Sequence, residues 1–157
     1  MPVLFHGSNV EFEIPTLDRS RDKRDFGMGF YTTTVKTQAE EWAKHMVVRF
    51  GGQPYIHTFE LNYDDLAVKE FPGINLEWLE LVKVNRTLGG IQHDFDVVIG
   101  PVANDYTMQT IQRYIDGVYE AEEAMRRLRY AKVNDQVSLH TPRAMALLIS
   151  KGYEYVE

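Results

Sequence analysis

Three short segments carry side chains that a folded core does not need. His6-Gly7-Ser8 follows the apolar run Val3-Leu4-Phe5, which predicts a first strand ending in a polar turn. The histidine is an acid or base near neutral pH, and the glycine lets a ligand reach the backbone; a structural histidine is the other reading. Gly27-Met28-Gly29-Phe30-Tyr31 sets two glycines at the start of an aromatic strand, so that the main chain passes close to something flat, unless they mark a bulge or tight turn. In residues 134–140, period-two alternation puts Val137 and Leu139 on one face and Asn134, Gln136, Ser138 and His140 on the other. Such a polar face lines a cleft or meets water at the edge of a sheet.

These segments need elements to position them. Residues 29–34 are rich in aromatic and β-branched types and predict a strand. Thr37-Gln38-Ala39-Glu40 has the spacing of a capping box, followed by a stripe of Ala39, Trp42, Ala43, Met46, Val47 and Phe50, and Gly51-Gly52 closes that helix. The stripe turns Trp42 toward the sheet, where it either fills core or forms an aromatic slot with Tyr31. Strands are expected over 55–61 and 66–71, a helix from the Asn75 cap to about Arg86, and a buried strand from Asp96 stopped by Pro101. Residues 105–131 read as a helical insertion broken near Gly117. A strand over 134–140 leads to a helix opened by Thr141-Pro142 and closed by Gly152, then a last strand from Tyr153. Strands and helices interleaved irregularly make this α+β with a mixed or antiparallel sheet, in one domain over 1–157.

Composition narrows the chemistry. The 157 residues include 8 Phe, 9 Tyr and 2 Trp, enough large apolar surface for a core. With no cysteine there is no disulfide, thiolate metal site or cysteine nucleophile, and the five histidines show no metal-ligand spacing. No signal peptide or membrane-spanning run is visible, so a cytoplasmic location is expected. A net charge of −6 argues against broad affinity for nucleic acid. Basic residues cluster locally at Arg19, Arg21, Lys23 and Arg24, and again at Arg126, Arg127, Arg129 and Lys132; each run is solvated surface or a phosphate or partner contact.

Taken in order, these segments resemble the His-Tyr-Glu branch of the ADP-ribosyltransferases, which includes the poly(ADP-ribose) polymerases and diphtheria toxin. More specifically, the chain is similar to a bacterial family of small ADP-ribosyltransferase-like domains of unknown function, the DUF3990 type. The likeness is carried by Leu4 to Ser8, by Asp25-Phe26-Gly27 with Gly29-Phe30-Tyr31 and Thr33, and by Gln38-Ala39 with Trp42-Ala43. Asn85-Arg86, the run from Asp96 to Ala103, and Gln136 to Thr141 complete it. The resemblance implies a split sheet with flanking helices and NAD+ as substrate. It implies that His6 bonds the adenosine-side ribose, that the Gly7 backbone pairs with the nicotinamide carboxamide, and that Tyr31 and Trp42 sandwich the nicotinamide ring. Ser8, Gly29 and Thr32 complete the NAD+-contacting set, and His6, Tyr31 and Gln136 take the catalytic positions.

Two departures from that family pattern bear on activity. Ala39 stands where polymerases carry a serine that bonds the carboxamide. Gln136 stands in place of a glutamate, whose charge near the developing cation is worth ~4 kcal/mol at about 4 Å and an effective dielectric near 20. Compensation is expected from Asp25, Asp105 or Glu60, from His140 acting as a base, or from an acceptor that is already a good nucleophile. The expected activity is transfer of ADP-ribose to a protein or nucleic acid, as in a toxin with a neutralising partner protein. An NAD+ glycohydrolase and a silent NAD+ or ADP-ribose binding module are the alternatives.

Overall fold

A computed structural model describes residues 2–11, 15, 17, 24–103, 105–129 and 134–157. In chain order its elements are β1 (Val3–Ser8), β2 (Phe30–Thr32), α1 (Lys36–Phe50), β3 (Tyr55–Glu60), β4 (Val68–Glu70), α2 (Leu76–Leu88) and β5 (Val97–Val102). They continue with α3 (Asp105–Ile115), α4 (Ala121–Leu128), β6 (Asn134–Leu139), α5 (Pro142–Leu147) and β7 (Ile149–Tyr155). The strands form two sheets, ordered β1-β3-β7 and β2-β6-β5-β4. All pairings are antiparallel except β4 with β5, so the fold is α+β with a mixed sheet.

One bridge joins the two sheets. Phe5 N–H donates to the Thr33 carbonyl at 2.7 Å, and Thr33 N–H returns to Phe5 at 2.9 Å. Beyond this bridge β1 and β2 are not paired. Apolar side chains from both sheets meet on one side of the join, where Leu4 and Phe59 pack with Phe30, Val97, Val137 and Leu139. The opposite face of the four-stranded sheet carries Tyr31 and Val98 and is covered by Trp78, Leu79 and Val82 of α2, Ile111 of α3 and Leu128 of α4. Helix α1 covers the outer face of the three-stranded sheet through Ala39 and Ala43.

The small residues of α1 have a direct reason. A Cβ at Gly7 would overlap the Ala39 carbonyl oxygen and lie 2.9 Å from Ala43 N, so helix and strand touch backbone to backbone. Gly7 therefore already serves an internal contact, apart from any ligand.

Several local expectations are corrected. His6, Gly7 and Ser8 lie within β1, because pairing with His57, Ile56 and Tyr55 extends the strand through them. Thr37 lies inside α1 and caps nothing; Val35 is the N-cap residue, and its N–H is taken by the Thr33 hydroxyl at 3.1 Å. Of the proposed stripe, Ala39 and Ala43 are buried, whereas Trp42 is 41% exposed. Pro101 does not stop β5: it sits opposite Asp135 within the ladder, and its carbonyl accepts the Trp78 indole N–H at 2.7 Å. Gly152 lies inside β7 and does not end α5, which is over at Leu147. The Asn75 and Thr141 caps are as expected, their side chains accepting from Trp78 N–H and Ala144 N–H. Arg19, Arg21, Lys23 and Lys132 fall outside the described residues.

Candidate functional site

β1 and β2 share the Phe5–Thr33 bridge and are otherwise unpaired, and what stands beside that bridge follows from strand register. Phe5 turns its N–H and C=O toward β2. Two residues on, the alternation of an antiparallel ladder turns those of Gly7 the same way, toward Tyr31, where β1 and β2 no longer pair. A donor and an acceptor thus stand side by side at the split.

Tyr31 lies opposite Ser138, Ser138 opposite Val98, and Gln136 opposite Gly100. Residues opposite one another share a face, so Gln136 stands on the Tyr31 side, beside a position with no side chain. Its Oε1 is buried and has no hydrogen-bond partner among the described residues. Buried polar atoms are nearly always satisfied, and an orphan acceptor costs ~1–3 kcal/mol.

His6 reaches the same split from the other side. Its ring packs on Phe30 with centroids 4.5 Å apart, and Nδ1 lies 2.7 Å from the Tyr31 carbonyl oxygen. A carbonyl only accepts, so Nδ1 carries the proton. Burial lowers the His6 pKa to about 4, which keeps the imidazole neutral, with Nε2 its unprotonated nitrogen.

Tyr31 is built into the core. Its hydroxyl accepts Phe26 N–H at 3.0 Å and donates to Gly27 O at 2.7 Å, and burial pushes its phenol well above the ordinary range. One ring face stacks toward Phe26, the edge of His140 abuts it, and the Arg24 guanidinium sits 4.0 Å from the ring centroid. Trp42 does not touch Tyr31; it stacks on His45 at 5.4 Å. Helical spacing nevertheless sets Trp42 on the flank of Gln38, four residues earlier, and Gln38 Oε1 accepts from Thr33, beside the bridge. Trp42 therefore stands on the β2 side of α1, exposed.

The remaining expected residues have internal partners. The Ser8 hydroxyl accepts Val10 N–H at 3.1 Å. Thr32 donates to Val137 O at 2.7 Å and lies on the face away from Tyr31. Gly29 does pass close to something flat, but to the protein's own His140: a Cβ there would stand 2.6 Å from the ring. Both nitrogens of His140 are engaged, Nδ1 with Met28 O and Nε2 with the Ser138 hydroxyl, each at 2.7 Å, and burial lowers its pKa to about 4. It is thus a brace for the Met28-Gly29 turn and not an open base.

Of the carboxylates expected to compensate, the two described ones are committed elsewhere. Asp25 is buried, bound by Arg86 Nε at 2.6 Å and Ala103 N–H at 2.8 Å. Glu60 pairs with Lys151 on the three-stranded sheet, and the Asp105 side chain lies outside the described residues. Asn85 and His93 have supporting roles that the sequence reading did not assign. Buried Asn85 accepts Gln92 N–H at 2.8 Å and donates to Leu81 O at 2.9 Å. His93 accepts Phe95 N–H on Nδ1, so its Nε2–H donates to Phe26 O at 2.8 Å. With Arg86 they clamp the 25–27 turn that holds the Tyr31 hydroxyl. The signal was present in the Asn85-Arg86 pair at a helix end.

Among the described residues no group of three or more His, Cys, Asp or Glu is arranged to hold a metal ion, and no helix is long and apolar enough to cross a membrane. No curated protein and no solved structure matches the chain. The family model of DUF3990, described as a protein of unknown function, matches residues 2–149, and the chain belongs to that family.

Proposed function

We propose that the crevice between β1 and β2 binds NAD+ and that the chain is an ADP-ribosyltransferase acting on a protein or nucleic-acid acceptor. One observation carries this reading: the buried Oε1 of Gln136 on the Tyr31 face, which has no partner among the described residues. An orphan acceptor in a crevice calls for a ligand with a donor to give, and a ribose hydroxyl is such a donor. The neighbouring groups fit the rest of a dinucleotide. Neutral His6 stands at the same place, the Gly7 N–H and C=O match the two ends of a carboxamide, and exposed Trp42 offers a face to the nicotinamide.

In the transfer, the bond between nicotinamide N1 and ribose C1′ breaks, and its electron pair leaves with neutral nicotinamide. The acceptor's nucleophile forms the new bond to C1′ and its proton passes to solvent. Gln136 orients the ribose through its hydroxyl but adds no negative charge, so the chemical step is slower by up to ~10³-fold than with a carboxylate in that place.

That missing charge favours a second reading. Asp25 is committed to Arg86, and His140 is tied at both nitrogens, so a module that binds NAD+ or ADP-ribose without cleaving it has a physical basis. Incubation of the purified protein with labelled NAD+ and cell lysate separates the cases. Label on a macromolecule supports transfer; free nicotinamide without label supports hydrolysis by water; binding with neither supports the silent module; no binding rejects the crevice as an NAD+ site.

A further inference from the structure

Helix α2 packs on the four-stranded sheet, and β4 is the strand at that sheet's end. Helical spacing sets Glu77, Leu81 and Val84 on one flank of α2. That flank, Lys69 and Phe71 at β4, and the loop bearing His93 and Phe95 line an open groove of about 430 Å³. Small-molecule sites run from about 300 to 1,000 Å³ and are mostly apolar, with few polar groups to orient the ligand.

The walls are held by the protein's own bonds. Phe71 is buried and its ring stacks toward Phe26, with centroids 6.1 Å apart. His93 Nδ1 accepts Phe95 N–H at 3.0 Å, and Nε2–H donates to Phe26 O at 2.8 Å. Burial lowers the His93 pKa below its ordinary value, so at neutral pH the imidazole brings no positive charge to the groove.

Charge decides what the rim accepts. Lys69 pairs with Glu77, and those two charges cancel. Glu80 accepts the Tyr114 hydroxyl, which leaves its negative charge in place, and no cation among the described residues forms an ion pair with it. Lys83, three residues on, lies 4.9 Å from the centroid of the Tyr114 ring instead. The rim therefore keeps one uncompensated carboxylate above Phe71, Leu81, Val84 and Phe95.

We propose that the groove between α2 and β4 is a binding site for a small aromatic amine, its ring on the apolar floor and its ammonium at Glu80. The site is separate from the Gln136 face and stands whether or not the chain binds NAD+.

The test titrates the full chain with three probes that share one ring system: naphthylmethylamine, naphthalenemethanol and naphthoate. Binding is followed by NMR at the rings of Phe71, His93 and Phe95. The amine is expected to bind with a Kd of roughly millimolar or below, about 3-fold more tightly than the alcohol, with naphthoate the weakest of the three. Glu80→Gln keeps an acceptor for Tyr114 and removes the charge. It is expected to bring the amine down to the affinity of the alcohol and to leave the alcohol unmoved. Val84→Trp fills the groove and is expected to abolish binding of all three probes; if that variant does not fold, Glu80→Gln decides alone. Resonances that do not move at the groove, equal affinity for the three probes, or a preference for the amine that survives Glu80→Gln would overturn the proposal.

Discussion

His6 Nδ1 stands 2.7 Å from the carbonyl oxygen of Tyr31, so β1 and β2 remain tied by a side chain where their backbones no longer pair. That tie fixes the tautomer of His6 and the position of the Tyr31 backbone together. His6→Phe preserves the packing on Phe30 but leaves the carbonyl without its donor. A loss of ~1–3 kcal/mol in urea unfolding is expected, together with loss of NAD+ binding. Unchanged stability would mean that the hydrogen bond does not hold the split.

Acidification is expected to destabilise the fold. Burial lowers the His140 pKa from its ordinary 6.5 to about 4, and that of His6 to about 4 as well. As pH falls through 6.5 the unfolded imidazole takes up a proton and the folded one does not. The stabilisation is therefore complete above that value, declines on the way down, and levels off below about 4. For His140 alone the total is about 3 kcal/mol. The check is the urea midpoint from pH 7 to 4.5, with the His140 ring resonances followed by NMR. A ring that titrates near its ordinary value contradicts the buried, doubly bonded placement.

Two glycine substitutions separate close packing from open surface. Gly7→Ala drives a methyl into the Ala39 carbonyl, so α1 must shift off β1, and a loss of at least ~3 kcal/mol is expected. At Gly73 nothing lies within 4 Å of the added carbon, and Gly73→Ala is expected within ~0.5 kcal/mol of the parent. Thermal unfolding of both variants reads the contrast, and similar values would mean that α1 does not rest backbone to backbone on β1.

Trp42→Ala distinguishes a ligand face from core. Because the ring is 41% exposed, stability is expected to change by less than ~1 kcal/mol. The loss of a stacking face is expected to weaken NAD+ binding by ~3–10-fold. A large loss of stability with unchanged affinity would return Trp42 to the role of core filler.

What the sequence shows of this fold follows from how local each signal is. Period-two alternation in residues 134–140 reveals the two faces of β6, and the Asn75 and Thr141 caps are readable because capping needs only a side chain and an amide three residues on. Thr37 has the same spacing without the role, since the Thr33 hydroxyl, held by the 33–38 contact, already receives the first free N–H. Pro101 and Gly152 mislead for different reasons: the β5-β6 ladder runs on through Pro101, whereas Gly152, at φ 99, marks the register shift between β3 and β7 and not a helix end. At the site, the types of His6, Tyr31 and Gln136 point to a crevice, but what Gly7 and Gly29 touch does not show in a single strand. Their neighbours, Ala39 and His140, arrive from 32 and 111 positions along the chain. The Arg24 contact with Tyr31 is equally invisible, because a charge beside Asp25 reads as an ion pair until Arg86 is seen to take that carboxylate.

The most direct measurement is calorimetric titration of NAD+ into the parent chain and Gln136→Met, with the stability of each measured alongside. Methionine keeps the length of glutamine and removes the orphaned acceptor. The variant is expected to be as stable as the parent or more so, by up to ~1–3 kcal/mol, while its affinity for NAD+ falls at least ~10-fold. A parent chain that does not bind NAD+, or a variant that binds it equally well, would contradict the crevice as the dinucleotide site.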